Sequence, residues 1–473
     1  MKVHPLYLNG EFVITDKSFA VKNPANGKVL AQMSAIDQPR LARAINDAQG
    51  AFPGWRALTA KARGEYPHKI ANELERRREE ISRTITLENG KPLAQSAGEL
   101  DLTIDHLHWF AEEARRGYGR VIPHQTDGKR NLVIKCPVGV VAAISPWNFP
   151  LLLGVRKAAA ALAAGCPVLL KPASATPLCN VALAEACQAV SLPGGVFQLV
   201  AGSASEIAGE FLRNPIVRKI SFTGSTEVGR LLIAGAAAQV KALSLELGGL
   251  NPVLVFDDAD LVKAVDGTMV AKFRNTGQSC IAANRIYAQR AVYEEFLRRL
   301  AEKAAGLKVG DGLEAGVRIG PLIDEGAVRK AAEHVADAVQ RGARVLCGGK
   351  RLERPGSFFP PTVLADVPRE SLCFKEETFA PVAAVTPFET EAEAVAAANA
   401  TPFGLAAYVF TRDLSRALRL MEQVEAGMLA INDGVPTTSN APFGGVKQSG
   451  WGRELGSEGL DSFLDTKHVS IAI

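Results

Sequence analysis

The chain has 473 residues, 47% of them hydrophobic, with 54 Lys and Arg against 50 Asp and Glu and a formal net charge of +4. It is too long for one compact unit, so two or three domains with large cores are expected. The near-balance of charge argues against nucleic acid as a partner, and the densest basic run, around Arg76 to Arg78, is interleaved with glutamates as on a solvated helix face.

Seven cysteines, an odd number with no CxxC pair, argue against both a zinc cage and a disulfide framework, and they fit a reducing cytoplasm. The N-terminus lacks an apolar targeting core. The longest apolar run, Ala158 to Leu170, lies between Arg156-Lys157 and Lys171, so no membrane partner is expected.

Along the chain, Arg40 to Gly117 reads as mostly amphipathic helix. RVIPHQTDGKRNLVIKC follows and reads as two strands around Asp127-Gly128. From Val138, short apolar runs alternate with Ala-rich helical ones: VGVVAAIS, VRKAAAALAAG, CPVLLKP, ALAEACQAV, VFQLV, ASEIAGEFLRN, VRKISFTGS, VGRLLIAGAAA. This βαβα order predicts a parallel sheet covered by helices on both faces, with ligands bound past the carboxyl ends of its strands. A second βα series is expected from Asn251, through PVLVFDDAD, ANRIYAQR, ARVLCGGK, AYVFTRD and AGMLAIN, after a Gly-rich connection, LELGGLNP. The hairpin and the terminal FLDTKHVSIAI have no evident partner strands and are expected to pair with another subunit.

Three positions stand out chemically. Cys280, in FRNTGQSCIAANR, has Arg274 six residues before it and Arg285 five after. A reactive cysteine needs a route to its thiolate, donors for an oxyanion and a means of resolving its adduct. Asn148, in ISPWNFP directly after the first strand of the sheet, could donate an amide hydrogen bond. Glu246, in LELGGLNP at the end of the last strand of that sheet, could activate water. None of the seven histidines lies in a metal or dyad pattern, and all read as structural. GxGxxG and Walker A motifs are absent. Gly224 and Ser225 after the strand ISFTG, and Lys171 and Ser174 in KPASATP, are the weaker phosphate-binding candidates.

In this order, PWNFP, LLKPAS, FTGSTEVG, LELGG, FRNTGQSC, EETFAPV and NAPFGGVKQSG resemble the aldehyde dehydrogenase superfamily over essentially the whole chain. The resemblance implies an α/β fold with a Rossmann-type NAD(P)-binding domain, residues 1–117 and 138–247. It further implies a second α/β catalytic domain, 248–440, and a small β oligomerisation element, 118–137 and 456–473, with a homodimer or homotetramer as the assembly. It assigns the nucleophile to Cys280, the oxyanion donors to Asn148 and the Cys280 N–H, and the general base to Glu246. Cofactor contacts would come from Ile144, Ser145, Pro146, Trp147, Lys171, Ala173, Ser174, Gly224, Ser225, Leu247, Glu377 and Phe379. Relatives that transfer the acyl group to coenzyme A generally lack the base, so hydrolysis is expected here.

Within that superfamily the chain resembles succinate-semialdehyde dehydrogenases most. Arg156 and Arg274 match their carboxylate clamp, Phe149 and Phe443 flank the substrate, and Thr437 stands near a substrate-binding serine. The loop differs, with Pro436-Thr437 where those enzymes have Ile-Ser, so glutarate semialdehyde or a broader aldehyde range is the alternative, and a non-catalytic protein of the same fold a remote one. Ala282 replaces a second cysteine of many members, so no adjacent disulfide switch is expected. Ser174 stands where NAD-preferring relatives have Glu, which favours NADP over NAD because no carboxylate would repel a 2′-phosphate.

Overall fold

The computed structural model describes residues 2–473. The first large sheet has eight strands in the order Gly450–Trp451, Ala242–Glu246, Val217–Thr223, Val140–Ile144, Val168–Lys171, Phe197–Leu199, Leu6–Leu8, Glu11–Val13. The middle five are parallel, and antiparallel strands close both sides. Their near-continuous apolar runs are buried on both faces, as a helix-covered parallel sheet requires.

Strand order reverses between Val140–Ile144 and Val217–Thr223, so the turns after Ile144 and Thr223 diverge and leave a crevice at the carboxyl edge. The helix Pro150–Ala164 runs from that crevice. It begins with proline, ends at left-handed Gly165 and is buried along its whole length, which explains why its sequence is Ala-rich instead of amphipathic. The helices Gln38–Ala57, Ala60–Arg76, Arg78–Asn89 and Leu93–Glu113 occupy the stretch read as amphipathic, the first two capped by Asp37 and Thr59.

The second sheet has seven strands: Arg344–Cys347, Thr362–Ala365, Val382–Phe388, Ala283–Gln289, Asn251–Val255, Ala406–Phe410, Met428–Ile431. All neighbours are parallel except the first pair. Two of these strands, Thr362–Ala365 and Val382–Phe388, were not expected from the sequence. Pro360 and Pro361 adjoin the first and Pro387 lies near the end of the second, so local preference hid what the sheet imposes.

The third sheet supplies partners that the sequence did not show. Leu464–Ala472 pairs antiparallel with Lys129–Pro137 over nine residues, and Arg120–Ile122 pairs on the other side, so the hairpin and the terminal strand pair with each other within the chain. The stretch 441–455, outside the expected division, returns to the first sheet, where Leu245 and Glu246 pair with Trp451 and Gly450.

Arg285, the arginine that follows Cys280, is structural. It is 2% exposed and donates to the carbonyls of Leu250 at 2.9 Å, Ala397 at 2.8 Å and Ala398 at 2.8 Å, binding the end of the helix Glu391–Asn399 to the sheet. Arg285→Met is expected to cost about 2–4 kcal/mol by leaving buried carbonyls unpaired. Thermal denaturation followed by circular dichroism should show a midpoint lowered by several degrees, and an unchanged midpoint would contradict this role.

Candidate active site

Cys280 lies on a loop between the helix Leu261–Phe273 and the strand Ala283–Gln289. Asn275, Thr276 and Gly277 all have positive φ, of 50°, 56° and 74°. A side chain at Gly277 would put its Cβ 2.3 Å from the Ala380 carbonyl, so only glycine fits there. This strained backbone is fixed by its neighbours. Asn275 Nδ2 donates to the carbonyls of Asn148 at 2.8 Å and Gln278 at 2.9 Å, and Gln278 Oε1 accepts from the Ile323 amide at 2.9 Å. The Cys280 carbonyl is held by Asn251 Nδ2 at 2.8 Å, and Gly249 leaves room for it, since a Cβ there would lie 2.7 Å away. The Cys280 N–H makes no hydrogen bond to the described residues.

Asn148 comes from the turn that ends Val140–Ile144 and is 3% exposed. Its amide donates to the Gln278 carbonyl at 3.2 Å, which leaves its second N–H uncommitted beside the nucleophile loop. Its own carbonyl accepts from buried Lys91 at 2.7 Å. Lys91 pairs with buried Glu99, whose other oxygen accepts from the amides of Leu151 at 3.1 Å and Leu152 at 3.2 Å at the start of the helix Pro150–Ala164. A carboxylate suits that position because it faces the positive end of the helix dipole.

Glu246 ends its strand 2% exposed, and among the described residues its carboxyl has no hydrogen-bond partner but the Cys280 thiol beside it. Burial foremost, and then the charge of Glu454, push its pKa up to about 8. Cys280 is its neighbour and remains partly accessible; burial foremost, and then Glu246, push the thiol well above its ordinary range. Glu454 shares its carboxylate between Lys157 and Arg156, and Lys157 also donates to Thr223 Oγ1 at 2.6 Å. Burial alone would raise Glu454, but the two cations hold it below its ordinary value.

A narrow, mostly apolar pocket opens on the Cys280 side chain, and Phe149, Arg156, Arg274, Thr437 and Phe443 all line it. Arg156 is 5% exposed, 3.3 Å from Glu454 and stacked on Phe443 at 4.3 Å. Arg274 lies over Phe149 at 5.2 Å, and its guanidinium has no hydrogen-bond or ion-pair partner among the described residues. His106, read from the sequence as structural with the other histidines, lines the same pocket. Lys91, Glu99, Lys157 and Glu454 are further residues the sequence reading missed.

On the other side of Cys280, Trp147 and Phe379 meet edge to face at 5.5 Å, joining the turn Ile144-Ser145-Pro146-Trp147 to the second unit. The Ser145 amide donates to the Lys171 carbonyl at 3.1 Å, and Ser145 Oγ is buried without a partner. Glu377 is placed by Gly249 N–H at 3.4 Å, and burial pushes its pKa up to about 7. The Gly224 amide donates to the Glu246 carbonyl at 3.1 Å, Leu247 N–H to the Ser449 carbonyl at 2.9 Å, and Ser225 caps the helix Thr226–Ala236. Lys171 is 5% exposed, its ammonium has no partner among the described residues, and burial lowers its pKa to about 8. Ala173 and exposed Ser174 follow it without a nearby carboxylate pairing. An unpaired cation, an unsatisfied hydroxyl and the N-terminus of the helix Thr226–Ala236 along one sheet edge fit an anionic dinucleotide.

The chain matches the aldehyde dehydrogenase family over residues 12–469 and belongs to that family of NAD(P)-dependent oxidoreductases. It is 50% identical to the NADP-dependent succinate-semialdehyde dehydrogenase of Escherichia coli K12, over 98% of this chain and 97% of that protein. It is 48% identical to a glutarate-semialdehyde dehydrogenase of Pseudomonas aeruginosa, over 98% of this chain and 97% of that one. A crystal structure described as an E. coli NADP-dependent enzyme superposes with a TM-score of 0.98 at 48% identity, covering 100% of this chain and 98% of the other.

A Glu246 that serves as general base has to be unprotonated, and with burial pushing its pKa up to about 8, turnover that depends on it should rise with pH through that value. The steady-state kcat for aldehyde oxidation is expected to climb from about pH 7 to about pH 9. A kcat already at its plateau near pH 6 would contradict this assignment.

Proposed function

We propose that this protein oxidises succinate semialdehyde to succinate with NAD(P), using NADP at least as well as NAD. The observation that carries the reading is the pair of guanidiniums, Arg156 and Arg274, in a mostly apolar pocket at the thiol, one of them without a partner among the described residues. Such a pocket favours an aldehyde that carries a carboxylate, because that carboxylate would supply the missing charge and hydrogen-bond acceptors. Glutarate semialdehyde, one methylene longer, is the alternative, supported by the similarity to the Pseudomonas enzyme.

In this reading the Cys280 sulfur attacks the aldehyde carbon. The Asn148 amide and the Cys280 N–H donate to the oxygen as it becomes negative, each such donor being worth about 3 kcal/mol in comparable sites. A nicotinamide cofactor, held by Lys171, Glu377 and the turn at Trp147, supplies the hydride acceptor when bound. Glu246 then takes a proton from water, the hydroxide displaces the acyl group from sulfur, and the acid leaves. Lys157 and Glu454 form a buried polar path behind Glu246.

The site residues, the three-part division and the assembly belong to the same proposal. Exposed Val121 and Ile471 on the third sheet, at 72% and 38%, and Ile473 just past its last strand, at 75%, support a homodimer or homotetramer built through that sheet. A cytoplasmic location fits seven free cysteines; among the described residues no helix is long and apolar enough to cross a membrane.

Arg274→Ala should lower kcat/KM for succinate semialdehyde by roughly 100-fold while costing a neutral aldehyde such as hexanal far less. Equal losses on both would favour a broad aldehyde dehydrogenase. For the cofactor, Ser174→Glu should lower kcat/KM for NADP by roughly tenfold or more while sparing NAD. A wild-type preference for NAD of tenfold at equal concentrations would overturn the NADP reading.

A further inference from the structure

Leu102 and His106 stand one turn apart on the helix Leu93–Glu113, and both face the pocket at Cys280. Around them the pocket is lined by Phe149, Leu152 and Leu153, so the imidazole sits among hydrocarbon. His106 is 3% exposed. It makes no hydrogen bond to any described residue, and its Nδ1 is fully buried. Buried polar side chains are nearly always paired, and one that is unpaired and faces a ligand pocket points to the ligand as its partner.

The imidazole is neutral at physiological pH, because burial foremost, and then the charge of Arg156, hold its pKa well below the ordinary histidine value. A neutral imidazole offers one donor and one acceptor. A carboxylate only accepts, and the two arginines already supply donors for it. One ring nitrogen faces a given ligand atom, and a hydroxyl can meet that nitrogen in either tautomer, as acceptor or as donor, whereas a carboxylate can meet it only where it carries the proton. His106 and Arg156 come from two helices packed on each other, Leu93–Glu113 and Pro150–Ala164, and line the same narrow pocket, which puts this hydroxyl on the side of the arginine that holds the carboxylate.

Resting on the reading of the pocket as a site for aldehyde acids, we propose that the preferred substrate is an ω-oxo acid bearing a hydroxyl next to its carboxylate, and that His106 is the specificity-determining residue that recognises this hydroxyl. A pocket with an unpaired polar group binds the unsubstituted acid less well, because that group then stays buried without a partner. Sites built to hydrogen-bond a substrate hydroxyl discriminate more strongly than sites that merely tolerate one.

The test is the ratio of kcat/KM for 2-hydroxy-4-oxobutanoate, each enantiomer separately, to kcat/KM for succinate semialdehyde, measured with NADP. Within one preparation this ratio does not depend on the fraction of protein that is folded. For the wild type, one enantiomer should be favoured over succinate semialdehyde by roughly tenfold or more. His106→Phe should lower that ratio by roughly tenfold or more, and His106→Gln, which keeps a donor and an acceptor, should recover part of it. A wild-type ratio at or below one, or a ratio that His106→Phe leaves in place, would overturn the proposal and leave the succinate-semialdehyde reading standing. Oxidation of hexanal with neither acid consumed would overturn both.

Discussion

Two amide side chains, each reaching across to the other's loop, hold the catalytic geometry together. Asn275 Nδ2 donates to the Asn148 carbonyl and Asn148 Nδ2 to the Gln278 carbonyl, so the turn after the first parallel sheet and the loop before a strand of the second are locked in register. The proposed oxyanion donor, Asn148, and the proposed nucleophile, Cys280, come from different units 132 residues apart in sequence. Their relative position depends on those bonds, on the strained backbone at Asn275 to Gly277, and on Lys91, which ties the Asn148 carbonyl to Glu99 and the head of the central helix. A site meant to stabilise a developing charge has to be built before the charge appears, and these contacts build it.

The electrostatics follow from the same burial. A thiol and a carboxylate sit together out of water: burial and Glu454 push the Glu246 pKa up, and burial and Glu246 push that of the Cys280 thiol up, so both favour their protonated forms at rest. Glu454, clamped between Lys157 and Arg156, adds negative charge behind Glu246. Arg156 therefore faces two ways, stabilising Glu454 on one side and lining the substrate pocket on the other. Arg274 has no such internal partner, and that asymmetry makes it the better candidate to grip an incoming carboxylate.

Much of this was legible in the sequence because the chemistry lies at strand ends, where short motifs carry the information. The alternation from Val138 located four of the five parallel strands and LELGG the end of the fifth, and the turns after Ile144, Lys171, Thr223 and Glu246 fell at the carboxyl edge as the βα pattern requires. Cys280, Asn148 and Glu246, singled out on residue type and position alone, converge in space. The helpers were hidden for a physical reason. Lys91, Glu99 and Glu454 are charged residues in helix or loop sequence that looks like ordinary surface, and only long-range packing shows them buried. His106 sits in a helix with no motif around it. The terminal strand's partner was missed because strand pairing between residues 129–137 and 464–472 leaves no local trace.

The central claim is that Cys280 carries the substrate's acyl group and that Glu246 releases it to water. Intact-protein mass spectrometry of Glu246→Gln, quenched after mixing with succinate semialdehyde and NADP, tests this most directly. The account predicts a population heavier by one succinyl group, with the added mass on the peptide that contains Cys280. Unmodified protein that still turns over, or an adduct on any other residue, would contradict it.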